Sequence, residues 1–297
     1  MGTLAVNPPA RSGPDTPASP RLADHEIFPS ADYQHRLRLG RCAPSDYFGP
    51  WEPHSDLLAE RGRWIDQHPD RHVVADGSSI AALVELAEWA ETWTGRPVPR
   101  PSPLEPKTLV AELGTRLEPD FVLLSRDSQP ARMTAGCVCF PSSWYPEHKL
   151  GATLEGIHDV VPGLNPTLGE AIDGFLSRLK PGTAWIRANW GLSASSERNQ
   201  HPWRRLQRLH APFNPSATWV RIEHQALLVL PRSGAILFGI RIEHRPLSAV
   251  GASASTAVAL ARALRSMPEP MAAYKGIAEV RGAAADYLAG GPSLPSM

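Results

Sequence analysis

The chain has 297 residues, 42% of them hydrophobic, which suits one large globular domain or two small ones. Lysine plus arginine and aspartate plus glutamate each number 30, so the formal net charge is zero. This balance argues against a nucleic-acid-binding protein that neutralises many phosphates. It also argues against attachment to anionic lipid by charge alone.

The cysteine content and the hydropathy pattern indicate a protein of a reducing compartment. Cys42, Cys137 and Cys139 are too few for a disulfide framework in a chain of this size, and one fewer than the four thiolates that usually hold an iron–sulfur cluster. No uncharged apolar run approaches the ~18–20 residues of a membrane span, and the N-terminal residues lack the apolar core of a signal peptide. We therefore expect a cytoplasmic protein without membrane association.

Proline-rich or glycine-rich segments mark both ends of the chain. Residues 1–30 contain six prolines and few large apolar side chains, so they cannot bury enough surface to offset the entropy of ordering. Residues 291–297 have a similar composition. We therefore predict a disordered tail over residues 1–30, a single domain with helical extensions over residues 31–290, and a flexible tail over residues 291–297.

The elements predicted between the tails follow a simple order. Apolar residues recur at helical spacing from Ile80 to Trp93, which predicts the first long helix. Apolar runs then predict two strands, a helical stretch at about 143–180 and three further strands, before helices close the chain. The predicted strands cover residues 117–124, 131–140, 184–190, 217–230 and 235–246.

This order predicts an α+β fold built on an antiparallel sheet. Two strands, a helical insert and three strands follow one another as in a PAS-like domain, with extra helices at both ends. In a PAS-like domain a ligand lies between the central helices and the sheet. Polar side chains on that face of the sheet and within the helical insert are therefore candidates for a binding site.

The last two strands flank Pro231–Gly234 and predict a hairpin. A loop with an odd number of residues places the even-numbered residues of both strands on one nearly apolar face, whereas an even loop mixes charge into both faces. We therefore predict a loop of three or five residues. His224 and His244 then share the apolar face, either as hydrogen-bonded core residues or as a ligand and proton-transfer pair. The other face carries a charged ladder, which is either a solvated ion-pair surface or an anion-binding site: Arg221, Glu223, Arg241, Glu243 and Arg245.

Other residue patterns are less decisive. Cys137 and Cys139 lie on one face of a strand, where they are either small core residues or a source of a thiolate heme ligand. His158 lies between two helical pieces of the insert and is a candidate metal ligand. No GxGxxG, P-loop, GxSxG or HExxH motif is present, so electrons for any redox chemistry would come from another protein.

Several short segments together resemble the heme-dependent oxidative N-demethylase alpha-subunit family. The similarity covers roughly residues 30–290 and is densest over residues 117–246. The matching segments are AGCVCFPSSW at 135–144, KLG at 149–151, IH at 157–158, VPG at 161–163, RANW at 187–190, NQHP at 199–202, RIEHQ at 221–225 and LPRSGAILFGIR at 230–241.

The resemblance implies a PAS-like heme domain that activates O₂ and oxidises a bond next to an amine nitrogen. Members of the family release formaldehyde from a small secondary amine. They draw electrons from NADPH through separate flavin and ferredoxin-type proteins, so the chain itself would hold heme b and no flavin, NAD or iron–sulfur site. The histidine of the IH…VPG motif corresponds to His158, which we expect to ligate the heme iron.

The resemblance also suggests roles for residues around the hairpin. Glu223 is the candidate for proton transfer or for holding the substrate ammonium, with His224 as its partner. In a regular strand these two neighbours point to opposite faces, so this assignment requires a β-bulge. Arg221 and Arg241 would pair with the heme propionates, and the remaining pocket residues would be Asn189 and Trp190.

One segment departs from the family pattern. The family usually has R-x-E-R-Q-T where this chain has Arg221–Ala226, so His224 replaces an arginine. This change removes an anion contact, adds a proton donor or alters the substrate. Two alternatives to an enzyme remain open: a PAS-like sensor that binds heme or another small ligand without turnover, and a heme-free assembly subunit.

Overall fold

The computed structural model describes residues 20–52, 56–126 and 130–290. Within them the chain forms twelve α-helices and one seven-stranded antiparallel sheet, so the prediction of an α+β fold is confirmed. Of the predicted tails, residues 1–19 and 291–297 lie outside the described part of the chain. Within the described residues, a helix at Asp24–Ile27 docks on the core, where Ile27 and Phe28 are buried.

The strands are arranged in the order β1-β5-β6-β7-β3-β4-β2. Their bounds are β1 Gly40–Cys42, β2 Val73–Ala75, β3 Asp120–Ser125, β4 Arg132–Cys137, β5 Ala184–Ser193, β6 Trp219–Val229 and β7 Ile236–Pro246. The helices are α1 Asp24–Ile27, α2 Pro44–Phe48, α3 Leu57–Gln67, α4 Pro69–His72, α5 Ile80–Thr94, α6 Pro106–Gly114, α7 Leu154–His158, α8 Leu164–Arg178, α9 Leu247–Gly251, α10 Ala254–Ser266, α11 Glu269–Tyr274 and α12 Arg281–Leu288.

The five predicted strands correspond to β3–β7, with α7 and α8 between β4 and β5. Strands β1 and β2 were not predicted, because three residues are too few to show an alternating pattern. Both lie at the edges of the sheet. Strand β1 pairs only with residues 184–186 of β5, which leaves the rest of that edge of β5 without a strand partner among the described residues.

Helices cover one face of the sheet along its whole width. Aromatic side chains of α2 and leucines of α5 and α6 pack on this face, and α9–α12 extend the same cover around Val220 and Ile222 of β6. The close approach of α2 explains Gly239 of β7, where a Cβ atom would lie 2.7 Å from the Phe48 ring and 2.8 Å from the Tyr47 ring. On the opposite face, α7 and α8 cover β3, β4 and the hairpin end, and a cavity remains beside them.

The hairpin register differs from the prediction. Residues 231–234 form a four-residue loop between Leu230 and Ala235, with Gly234 in the left-handed conformation at φ 69°. The buried Glu85 carboxylate of α5 accepts hydrogen bonds from the backbone N–H groups of Arg232 and Ser233, which fixes this turn. The even loop pairs even-numbered residues of β6 with odd-numbered residues of β7. Both faces therefore carry charge, and neither is the nearly apolar face that the prediction required.

No helix in the described part of the chain is both long and apolar enough to cross a bilayer.

Candidate functional site

The structure contains a cavity of about 870 Å³ between the sheet and the helical insert. This size falls within the ~300–1,000 Å³ of small-molecule and cofactor sites. Strands β5, β6 and β7 form the floor, and α7, α8, residues 28–40 and the end of α11 form the walls. The apolar part of the lining comes from the hairpin and from α8, and includes Leu227, Phe238, Ile240, Leu168, Ile172 and Phe175.

The pairing of β5 with β6 determines which polar groups reach the cavity. Arg187 pairs with Gln225, Asn189 with Glu223, and Gly191 with Arg221. Side chains of paired residues share a face, and those of alternate residues along a strand return to it. The side chains at these positions consequently form one polar patch on the cavity floor.

Glu223 is the carboxylate at the centre of this patch. Its Oε1 accepts a hydrogen bond from Ser142 Oγ at 2.5 Å, and its Oε2 accepts from Gln225 Nε2 at 2.8 Å and from Asn189 Nδ2 at 3.4 Å. A carboxylate can accept about four hydrogen bonds, so about one acceptor position remains for a ligand. Neutral donors thus orient Glu223 while leaving it able to bind an N–H group.

Arg221 lies beside Glu223 but is held by the protein. Its Nε donates to Ser142 Oγ at 2.8 Å and its terminal nitrogens donate to Phe140 O at 2.8 Å and to His244 Nε2 at 3.0 Å. Burial lowers the pKa of Arg221 to about 10, although the Glu223 charge opposes this shift. Most of its donors are therefore engaged, and it acts as a support for Ser142 and Glu223.

His158 ends α7 and lines the cavity wall. Burial, together with the positive charge of Arg187, lowers the pKa of His158 to about 4, so its ring is neutral at pH 7. Among the described residues, no hydrogen bond or ion pair engages its ring nitrogens. Of the other histidines of the lining, His35 bonds to Pro162 O at 2.9 Å, His201 contacts Glu147 at 3.1 Å and the Trp203 N–H at 3.2 Å, and His148 stacks on the Tyr145 ring with 4.8 Å between ring centroids.

A lysine contacts the part of β5 that has no strand partner among the described residues. Lys275, just after α11, donates from Nζ to Trp190 O at 2.6 Å and to Asn189 Oδ1 at 3.3 Å, and lies 5.7 Å from the Trp190 ring centroid. Burial lowers the pKa of Lys275 to about 8, with the Glu223 charge acting in the opposite direction. Asn189 and Trp190 both line the cavity.

The structure does not bring His224 or Arg241 to the cavity. Both lie on the opposite face, because the strand is regular there and contains no bulge. His224 Nε2 donates to Glu243 at 2.7 Å, and its backbone carbonyl accepts from Tyr47. Arg241 pairs with Glu118 at 2.5 Å and donates to the carbonyls of residues 47 and 49. We predicted that His224 is the partner of Glu223 and that Arg241 pairs with a propionate. The structure instead places His224 and Arg241 on the face away from the cavity.

Two further sequence expectations change with this geometry. His244 lies on the cavity side of β7, opposite to His224, so the two do not share a face. Burial and Arg221 lower the pKa of His244 to about 3. Cys137 and Cys139 are fully buried, 3.8 Å apart, in the core on the other side of the sheet, and neither thiol lines the cavity. They are core residues, and a thiolate ligand to a group in the cavity is excluded by their position.

Sequence reasoning did not identify three residues of the site: Ser142, Arg187 and Lys275. Ser142 follows the end of β4, where an isolated bridge to Gln200 and a left-handed residue at Ser143, φ 61°, hold the chain. Arg187 could have been found from its alternation with Asn189 along β5. Lys275 reaches the site only through the packing of α11, which no local pattern encodes.

A model of a protein family matches most of the chain. The model of the family described as "Haem-dependent oxidative N-demethylase, alpha subunit-like" matches residues 83–285 of the chain. The match covers more than half of the chain and contains every cavity residue named above except those of the N-terminal segment.

Proposed function

Because the chain belongs to the haem-dependent oxidative N-demethylase alpha subunit-like family, we propose that it is a heme-dependent oxidase of an amine-bearing small molecule. The proposal assigns heme b to the cavity, with O₂ as co-substrate. It assigns iron ligation to His158. It also retains the PAS-like description of the fold, which the order of β3–β7 around the helical insert supports.

The observation that carries this proposal is the His158 ring, which is neutral and has no partner among the described residues at the wall of a cavity of about 870 Å³. Neutral imidazole is the form that ligates metals. A porphyrin also needs apolar walls and cations for its propionates, and the cavity offers both in Phe238, Ile240, Phe175 and Arg187. The residues present therefore fit a heme. When bound, that heme would supply the oxidative chemistry that side chains cannot.

Glu223 is the residue that we propose to bind the substrate amine. Its position is fixed by Ser142, Gln225 and Asn189, and it retains about one free acceptor position toward the cavity. A carboxylate so placed can accept a hydrogen bond from an ammonium or can take up its proton. Lys275, with a pKa of about 8, is a second group that can exchange a proton close to neutral pH.

The proposal also requires partner proteins. The description "alpha subunit-like" indicates a protein that works with other subunits. We propose that separate NADPH-dependent flavin and ferredoxin-type proteins supply the electrons. The cytoplasm, where such donors are found, is the proposed location.

An absorption titration of the purified chain with hemin tests the heme assignment. We expect one heme per chain, with a Soret band that shifts on addition of a secondary methylamine. Glu223→Gln should keep the band and lose the amine-dependent shift, whereas Glu197→Gln, a change on the loop after β5, should keep both. Absence of stoichiometric heme would contradict the proposal. Heme binding with no response to any amine would favour the sensor alternative.

A further inference from the structure

Arg187 is an unusual arginine in the interior of this protein. It lies on the cavity face of β5, and burial lowers its pKa although the Glu223 charge opposes the shift. Among the described residues, no hydrogen bond, ion pair or ring contact engages its guanidinium. A guanidinium carries five N–H donors and stays charged, so at this half-buried position its donors remain available to a ligand in the cavity.

By contrast, each fully buried arginine in the described part of the chain has partners. Arg61 pairs with Asp120 at 2.5 Å and donates to Glu118 O at 2.6 Å. Arg241 pairs with Glu118, and Arg221 donates to a hydroxyl, a carbonyl and a ring nitrogen. The fold therefore satisfies buried guanidinium groups where the protein itself is the partner. At Arg187 the donors open onto the cavity instead.

The charge of the cavity also favours an anion. Eight lysines and arginines line it, against three acidic residues, Glu26, Asp32 and Glu223. Glu223 is already bound by three neutral donors, and Arg187 interacts with it through charge without a direct hydrogen bond. An excess of cations in a partly apolar, enclosed space attracts ligands that carry negative charge.

We propose that Arg187 binds a carboxylate inside the cavity through its guanidinium fork. A planar guanidinium matches the two oxygens of a carboxylate, and such pairs are strong because both groups are charged. Arg221 and Arg241 cannot take this role, since their donors are used within the protein. The carboxylate comes from one of two sources: a porphyrin propionate, in which case this inference rests on the proposed function, or an acid group on the amine substrate.

The test compares carboxylate ligands with matched ligands in which that charge is absent. Iron mesoporphyrin and its dimethyl ester are titrated into the protein and followed by absorbance. Sarcosine and N-methylethylamine are titrated by calorimetry into the protein with and without porphyrin. The variants are Arg187→Gln and Arg187→Lys, and the control is Arg178→Gln, which removes an exposed arginine of α8 outside the cavity.

The two sources give different results. If a propionate is bound, Arg187→Gln weakens mesoporphyrin binding about 10- to 100-fold and leaves the dimethyl ester unchanged. If a substrate carboxylate is bound, the same variant weakens the binding of sarcosine by a similar factor and leaves the binding of N-methylethylamine unchanged. Arg187→Lys, which keeps the charge but loses the fork, should give a smaller loss. Arg178→Gln should match the wild type in every titration.

Three results would overturn the inference. One is unchanged binding of all four ligands to Arg187→Gln, and another is equal weakening of the binding of each acid and of its counterpart without a free carboxylate. Should the variants fail to fold, the wild type alone remains decisive, because equal affinity in both pairs for the acid and for its counterpart without a free carboxylate would also overturn the inference. Failure to bind either porphyrin would count against the proposed function, while the calorimetric titration of sarcosine would still test Arg187.

Discussion

At the scale of single residues, the chemistry of the site follows from which side of the sheet each side chain takes. His224 illustrates this. His224 sits on the face away from the cavity, where it pairs with Glu243, and hydrogen bonds from His224 and Arg245 lower the pKa of Glu243 to about 2 although burial opposes them. The side chain at position 224 therefore belongs to the helix-covered face and does not reach the cavity floor.

Lys275 gives a prediction about pH. Its folded-state pKa of about 8 lies below the ordinary 10.5, so the native state binds fewer protons than the unfolded state between these values. Stability must therefore rise with pH across this window, by about 2–3 kcal/mol from this one group. Its unfavourable contribution is fully present below about pH 8 and disappears above pH 10.5.

The measurement is urea unfolding of the wild type and of Lys275→Met at about pH 7 and about pH 10, near the ends of that window. The unfolding free energy of the wild type minus that of Lys275→Met should be larger at the higher pH. Lys180→Met, an exposed lysine after α8, is the control and should leave the pH dependence unchanged. An identical pH dependence for Lys275→Met and the wild type would show that Lys275 is not buried as described.

At the scale of elements, two glycines differ in the space that surrounds them. Gly239 of β7 faces α2, and an alanine methyl there would lie within 3 Å of two aromatic rings. Gly169 lies inside α8 with no atom within 4 Å of its Cβ position. Space and backbone conformation together therefore decide the effect of adding a methyl group.

We predict that Gly239→Ala destabilises the protein by about 1–3 kcal/mol, because the rings of α2 must move. Gly169→Ala should instead stabilise it by about 0.5–1 kcal/mol, since alanine loses less backbone freedom in a helix. Chemical unfolding of both variants at equal protein concentration measures the two effects. A neutral Gly239→Ala would mean that α2 packs less tightly on the sheet.

The elements were easier to predict from sequence than their register. Apolar alternation located β6 and β7 within two residues, because each strand is eleven residues long and buried positions of β6 largely alternate with half-buried ones. The loop length was wrong because the decisive interaction, Glu85 with the N–H groups of residues 232 and 233, joins segments far apart in sequence. This error placed His244 on the wrong face. It also grouped Arg221 with Arg241, which the sheet separates.

At the scale of the whole molecule, the two faces of the sheet have different roles. One face holds the structural ion pairs, Arg61 with Asp120 and Arg241 with Glu118. The other forms the cavity. Asp120 links them, since it also accepts the N–H groups of Cys139 and Phe140, and the Phe140 carbonyl in turn accepts from Arg221 on the cavity side.

The central claim is that His158 ligates a heme iron in this cavity, and the ferric spectra of two histidine variants test it most directly. His158→Ala is compared with His35→Ala, a cavity-lining histidine whose Nε2 is bonded to Pro162 O. Absorbance and electron paramagnetic resonance should show that His158→Ala loses the nitrogen-ligated spectrum and regains it with added imidazole. His35→Ala should resemble the wild type. An unchanged spectrum in His158→Ala, or loss of ligation in His35→Ala alone, would contradict this assignment.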